Sequence, residues 1–229
     1  MAKRKLQRFA DIKQFDNVVD IEISDILNQD FELKLLWKSK FFNNSNPIVL
    51  ELACGKGEYT IGLAEKIPEK NFIGIDKKGA RMWVGAKYAL DNKLQNVAFI
   101  RTRIELLASF FGKNEVDEIW ITFPDPQLKS SKKRLTSARF LNLYRNIIKP
   151  SSIIHLKTDS QELFDFTNKM IEFNKLNLLF STNNVENANL FSDILSIKTN
   201  YENIFLEEGK KIKYLKFELN KEQKVIPFD

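Results

Sequence analysis

Three acidic residues, Glu51, Asp76 and Asp125, stand where the chain reads as a strand running into a turn. Glu51 opens the run Glu51-Leu-Ala-Cys-Gly55-Lys-Gly57, after which a helical pattern begins at Glu58. Glycines between a strand and a helix permit a tight turn and let a ligand approach backbone N–H groups at the helix N-terminus. Asp76 closes the next strand, roughly 20 residues on, where a carboxylate can accept both hydroxyls of a ribose. The pattern suits either a nicotinamide dinucleotide or S-adenosylmethionine. A dinucleotide fingerprint calls for a third glycine, and Glu58-Tyr59-Thr60 stands in its place. A carboxylate at Glu51 would repel a pyrophosphate but stabilise an ammonium and a sulfonium, which favours the methyl donor. The bland alternative is a simple turn at Gly55 and Gly57, with Glu51 paired to a nearby lysine.

The third acid sits in Phe123-Pro124-Asp125-Pro126, followed by Gln-Leu-Lys129-Ser-Ser-Lys132-Lys133-Arg134. Two prolines restrict the backbone on either side of the carboxylate. The trailing cations, with Arg139, suit phosphates, which such residues hold without reading sequence. A proline turn followed by a solvated charge run is the plainer reading.

The elements that would position these residues are legible as apolar runs. Strand-length runs start at Pro47, Asn71, Val97, Val116 and Ser151, and further ones at Leu176 and Lys211. The first five are nearly continuous in apolar residues, as strands buried on both faces of a parallel sheet are. Between them, residues 58–68, 79–92, 137–149 and 160–175 carry apolar residues at three-to-four spacing and read as crossover helices. A doubly wound, mostly parallel α/β sheet of seven strands follows. In that topology the first and fourth strands are neighbours at the switch point, so Asp125 is expected to face the crevice of Gly55 and Gly57. The polar stretch Asn183 to Asn189 reads as a loop. Residues 1–45 read as a basic N-terminal extension without a clear sheet pattern, either a solvated tail or an RNA-contacting arm. Residues 46–229 read as the catalytic-size domain.

Composition narrows the class. The 229 residues are 43% hydrophobic, enough for one α/β domain with a sizeable core. Lys plus Arg number 36 against 30 Asp plus Glu, a formal charge of +6 that accommodates a polyanion without demanding one. One cysteine, Cys54, and one histidine, His155, leave no internal disulfide and no zinc constellation, so a metal-free mechanism in a reducing cytoplasm is expected. Neither a signal-peptide core nor an apolar run long enough to span a membrane is apparent. Oligomeric state, monomer or homodimer, is left open.

Taken in order, four motifs resemble those of the tRNA (guanine-N7)-methyltransferase family: Glu51 to Gly57, Phe123 to Pro126, Lys157-Thr158-Asp159 and Thr199-Asn200-Tyr201-Glu202. The resemblance runs from about Pro47 to the C-terminus. It implies a class I methyltransferase fold of Rossmann-like type, S-adenosylmethionine as cofactor and a guanosine in the variable loop of tRNA as substrate. It implies further that Glu51, Gly55, Gly57, Asp76, Arg103 and Asp125 line the cofactor site, and that Lys129, Asp159 and Thr199, Asn200, Tyr201 and Glu202 meet the guanosine. There are departures. Ala53 replaces the first glycine of the loop, a mild change provided the backbone there needs no positive φ. The family's Asp-Ala after the third strand is Arg103-Ile104 followed by Glu105, so either Arg103 or Glu105 contacts the adenine. Its Trp-Pro before the lysine is Gln127-Leu128.

Guanine N7 carries a lone pair and no proton, so its methylation needs no general base, and positioning and electrostatics must dominate. Asp125 is the candidate to follow the positive charge that develops on the purine. Asp159 and Glu202 can accept hydrogen bonds from guanine N1 and N2, and Tyr201 can stack on a base. His155, Trp37, Trp83 and Trp120 read as packing residues. The rivals are a methyltransferase for an exocyclic or amide nitrogen, disfavoured because Asp125-Pro126-Gln127 lacks a double proline and aromatic, and an RNA-binding protein with an inactive methyltransferase fold, disfavoured by the presence of all three acids.

Overall fold

The computed structural model describes residues 2–27, 29–187 and 193–228 and divides into two units, residues 1–112 and 113–229. In the first unit the apolar runs at Ile48, Asn71 and Val97 become strands β2 (Ile48–Leu52), β3 (Asn71–Asp76) and β4 (Val97–Arg101). Every residue of β2 is buried, as a strand covered on both faces requires. Before them come helix α1 (Ala2–Ile12), strand β1 (Val18–Asp20) and the single turn α2 (Ile23–Ile26). Helices α3 (Glu58–Lys66) and α4 (Gly79–Asp91) link the strands, and the short α5 (Leu107–Phe110) follows. The four strands are parallel in the order β1-β4-β3-β2. Their carboxyl ends therefore lie on one side, which brings Glu51 into register with Gly74 and Asp76 with Arg101.

β1 departs from the expected absence of sheet in the first 45 residues. Three half-buried residues are too few for a period, yet Val18 and Asp20 pair with Phe99 and Arg101, and Arg101 Nη1 meets Asp20 Oδ1 at 2.6 Å. The basic start is likewise docked. Trp83 of α4 donates from Nε1 to Asp11 (3.0 Å), and the guanidinium of Arg8 lies 4.7 Å from its ring centroid, a cation–π contact. Lys5 is exposed; the side chains of Lys3 and Arg4 lie outside the described set. Trp37, fully buried, donates from Nε1 to Phe110 O and stacks on Phe111.

In the second unit β5 (Val116–Thr122) pairs in parallel with β6 (Ile148–Thr158), with α6 (Ala138–Tyr144) between them in sequence. After α7 (Gln161–Phe173), strand β7 (Asn177–Thr182), helix α8 (Asn200–Glu207) and strand β8 (Lys213–Leu219) complete the chain. β8 lies between β6 and β7, antiparallel to both. The loop read over Asn183–Asn189 contains a 3-10 turn at Val185–Asn187; its last two residues lie outside the described residues. The α/β class with a mostly parallel sheet stands, with eight strands in place of seven, β1 being the addition.

Candidate functional site

The first unit holds the glycine loop. Between β2 and α3 the chain takes left-handed backbone at alternate residues: Ala53 (φ 60°), Gly55 (φ 58°) and Gly57 (φ 75°). The proviso attached to Ala53 therefore fails, since this alanine occupies a region that costs a residue with a side chain about 1–2 kcal/mol. Hydrogen bonds hold the loop against that cost. Cys54 N donates to Ile75 O (3.1 Å), Gly57 N to Cys54 O (2.8 Å) and Gly55 N to Asp76 Oδ2 (3.0 Å), while Asp76 Oδ1 accepts from Lys78 N (2.8 Å).

Glu51 is buried, and its Oε2 accepts from both the N–H (2.8 Å) and the hydroxyl of Thr60 in the first turn of α3. Gly57, the N-cap of that helix, has no side chain to cap it, so Glu51 supplies the acceptor and places negative charge at the positive helix end. Cys54, between the acids, has its thiol pKa pushed well up, first by burial and then by the charges of Glu51 and Asp76. The strand ends thus carry a negative potential. With a Gly55 Cα beside which a Cβ would meet no protein atom within 4 Å, this fits a ligand bearing ribose hydroxyls and positive charge. Arg103 and Glu105 are both exposed around the 3-10 turn Ile104–Leu106.

The second unit holds the other predicted residues. Phe123 (φ 45°) and Gln127 (φ 50°) are both left-handed and bracket Pro124-Asp125-Pro126. Such backbone in a bulky residue is uncommon and concentrates at functional sites. Asp125 is exposed, and its Oδ1 accepts from Gln127 N (2.9 Å). Arg134 departs from its expected phosphate-holding role: it is buried, donates from Nε to Pro126 O (3.0 Å), pairs with Glu162 and lies over Phe166 (4.6 Å). It clamps the Asp125 loop, while Lys129, Lys132, Lys133 and Arg139 are exposed. Lys129 and Lys132 line an open cavity of about 640 Å³ that also receives Lys169 of α7.

Asp159 follows β6, one-fifth exposed, with Lys210 Nζ 3.4 Å from its Oδ2. Thr199 is the N-cap of α8, its Oγ1 accepting from Glu202 N (3.1 Å). Glu202 is buried, with Oε2 2.8 Å from Lys157 Nζ, whereas Asn200 and Tyr201 are exposed and Tyr201 stacks towards Phe205 (6.3 Å). Burial outweighs their mutual attraction, lowering the Lys157 pKa and raising that of Glu202. Lys157 is the residue that reading the sequence for roles overlooked. Its signal was present: a lysine inside Ile-Ile-His-Leu-Lys157 must be buried, and a buried lysine must be partnered. His155 is a packing residue as expected, stacked on Trp120 (3.8 Å), with Nδ1 2.7 Å from Tyr214 OH and Nε2 3.0 Å from Glu118.

Comparison with known proteins adds the following. The family model described as "Putative methyltransferase" matches residues 45–215. The chain is 50% identical over 222 residues to a tRNA (guanine-N(7)-)-methyltransferase of Bacteroides thetaiotaomicron, covering 97% of this chain and 88% of the relative. It is 48% identical to the protein of that name from Christiangramia forsetii, covering 95% and 99%. Among solved structures, the 16S rRNA methyltransferase KamB superposes with a TM-score of 0.63 at 14% identity, covering 89% of this chain and 99% of that one. The 16S rRNA (adenine(1408)-N(1))-methyltransferase of Catenulisporales acidiphilia does so with a TM-score of 0.57 at 15% identity, covering 88% and 95%. At those identities the likeness establishes the fold, that of S-adenosylmethionine-dependent methyltransferases.

Proposed function

Because the chain belongs to the tRNA (guanine-N7)-methyltransferase family, we propose that it methylates N7 of a guanosine in the variable loop of tRNA, in the cytoplasm. S-adenosylmethionine, when bound, supplies the electrophilic methyl group. Glu51, Asp76 and the loop from Ala53 to Gly57 would hold it, Asp76 at the ribose and Glu51 through its charge, with Arg103 or Glu105 at the adenine. Asp125 follows the positive charge on the purine. Asp159, Asn200 and Tyr201 present the groups that recognise the base: a carboxylate acceptor, an amide that both donates and accepts, and a ring for stacking. The observation that carries the reading is the Asp125 loop, an exposed carboxylate fixed by two prolines, two left-handed residues and the Arg134 clamp, running straight into exposed lysines. The test is to incubate the chain with labelled S-adenosylmethionine and unmodified tRNA, then digest to nucleosides. Label in 7-methylguanosine is expected; label in another nucleoside, or none, contradicts the proposal.

The lysines give a second expectation. Lys132 and Lys133 are exposed and Arg134 is not, so Lys132→Ala with Lys133→Ala should weaken tRNA binding and reduce the slope of log affinity against log salt by about 1 to 2. Cofactor affinity should hold. Filter binding across a salt series checks this, and an unchanged slope would mean that these charges serve only solvation.

A further inference from the structure

A lysine with no exposed surface must place a charge and three N–H donors inside the protein, and Lys157 does so where three segments of the second unit converge. Its Nζ donates to the carbonyls of Leu195 (2.9 Å) and Ile197 (3.1 Å) and to Glu202 Oε2 (2.8 Å). Its own carbonyl accepts from the N–H of Phe123 (2.8 Å), whose ring centroid lies 5.9 Å from Nζ. One residue thus grips the first residue of the Asp125 loop through its backbone. Through its ammonium it grips the approach to α8 and the first turn of that helix. The Phe123 ring also meets Phe205 of α8 at 5.9 Å, a second contact between the same two segments.

We infer that Lys157 is a positioning residue for the target base, holding Asn200 and Tyr201 in fixed relation to the Asp125 loop; this deepens the proposed function and rests on its assignment of Asn200 and Tyr201 to the guanosine. The chemistry suits the task. A tetrahedral ammonium directs three donors pyramidally from one nitrogen, whereas a guanidinium spreads its donors in a plane, and a methionine of similar length offers no donor. The Glu202 carboxylate is turned inward onto Lys157 and its N–H onto Thr199, so the two residues between them are the ones turned to solvent. A buried ion pair is a weak source of stability beside an apolar pair of equal volume. The geometry it imposes is its distinctive product.

The test compares the full-length wild type with Lys157→Met and Lys157→Arg. Hydrogen exchange in Lys157→Met should rise by about tenfold or more across residues 199–207 while the amides of α3 and α7 keep their protection. With saturating cofactor and tRNA, the single-turnover rate should fall by about 100-fold, the scale of a 1 Å misplacement. Affinity for tRNA, set by phosphate contacts, should stay within about threefold, and cofactor affinity by calorimetry should be unchanged. A rate within about threefold of wild type in a variant whose α8 exchanges faster, or unchanged exchange at α8, overturns the inference. Should Lys157→Met fail to fold, Lys157→Arg decides: it keeps the charge and changes the geometry, so a reduced rate with tRNA affinity retained supports positioning, and full activity refutes it. A wild-type chain that makes no 7-methylguanosine would sink the proposed function, and the exchange measurement would still report on whether Lys157 orders α8.

Discussion

Replacing Asp125 by asparagine is expected to lower the single-turnover rate at saturating cofactor and tRNA by about two to three orders of magnitude, the effect of losing one preorganised polar group. Asparagine keeps the size of the side chain and an oxygen that can still accept from Gln127 N, so the loop conformation should survive. The negative charge alone is removed. Guanine becomes cationic as N7 gains its methyl group, so an interaction with that charge is stronger at the transition state than in the bound ground state. The substitution should therefore reach the rate constant and largely spare tRNA affinity. If Asp125 instead serves to bind the cofactor, Asp125→Asn should chiefly raise the apparent constant for S-adenosylmethionine, and saturating cofactor should restore the rate. A rate within about threefold of wild type under saturation would remove Asp125 from the chemical step.

How far these residues could be placed from sequence depended on whether their neighbours were local. β2 to β5 announce themselves because Pro47, Asn71, Val97 and Val116 each open apolar runs long enough to stand out. β1 does not, because Val18-Val19-Asp20 has no period to read, and its partner Phe99 lies about 80 residues away in the chain. Arg134 looks like its neighbours Lys132 and Lys133 in a run of cations. Only the fold brings Glu162 and Phe166 to it, turning a presumed phosphate ligand into a clamp.

The segment Thr199 to Glu202 was read from the sequence as a family motif alone. Its spacing, threonine followed three residues later by glutamate, is a helix-start signature as well as a family motif. Thr199 does cap α8. The motif therefore combines a frame, Thr199 and Glu202, with two displayed residues, Asn200 and Tyr201, a division that residue types alone do not disclose. Backbone conformation was least legible of all. Alanine at position 53 argues for an ordinary φ, and its left-handed geometry follows from the hydrogen bonds of the loop as a whole.

Gly55 and Gly57 should respond to the same substitution in opposite ways. Both have positive φ, so alanine at either incurs roughly 1–2 kcal/mol of backbone strain. They differ in what the added Cβ would meet. At Gly57 it would lie 2.5 Å from the ring of Phe99, itself fully buried in β4. Overpacking of that kind adds about 1–3 kcal/mol. Gly57→Ala should therefore lose about 2–5 kcal/mol in total, enough to lower the melting temperature by several degrees or prevent folding. At Gly55 the Cβ would meet no protein atom within 4 Å, so the strain is the whole cost to the fold. The same Cβ would project from the loop proposed to hold S-adenosylmethionine, next to the N–H that Asp76 orients. Gly55→Ala should thus melt within a few degrees of wild type yet bind the cofactor more weakly by about tenfold or more, the loss that follows about 1.4 kcal/mol of misfit. Melting curves and calorimetry on the two variants read both effects. If Gly55→Ala bound S-adenosylmethionine as tightly as wild type while Gly57→Ala folded normally, the glycine loop would have neither the packing nor the cofactor role assigned to it.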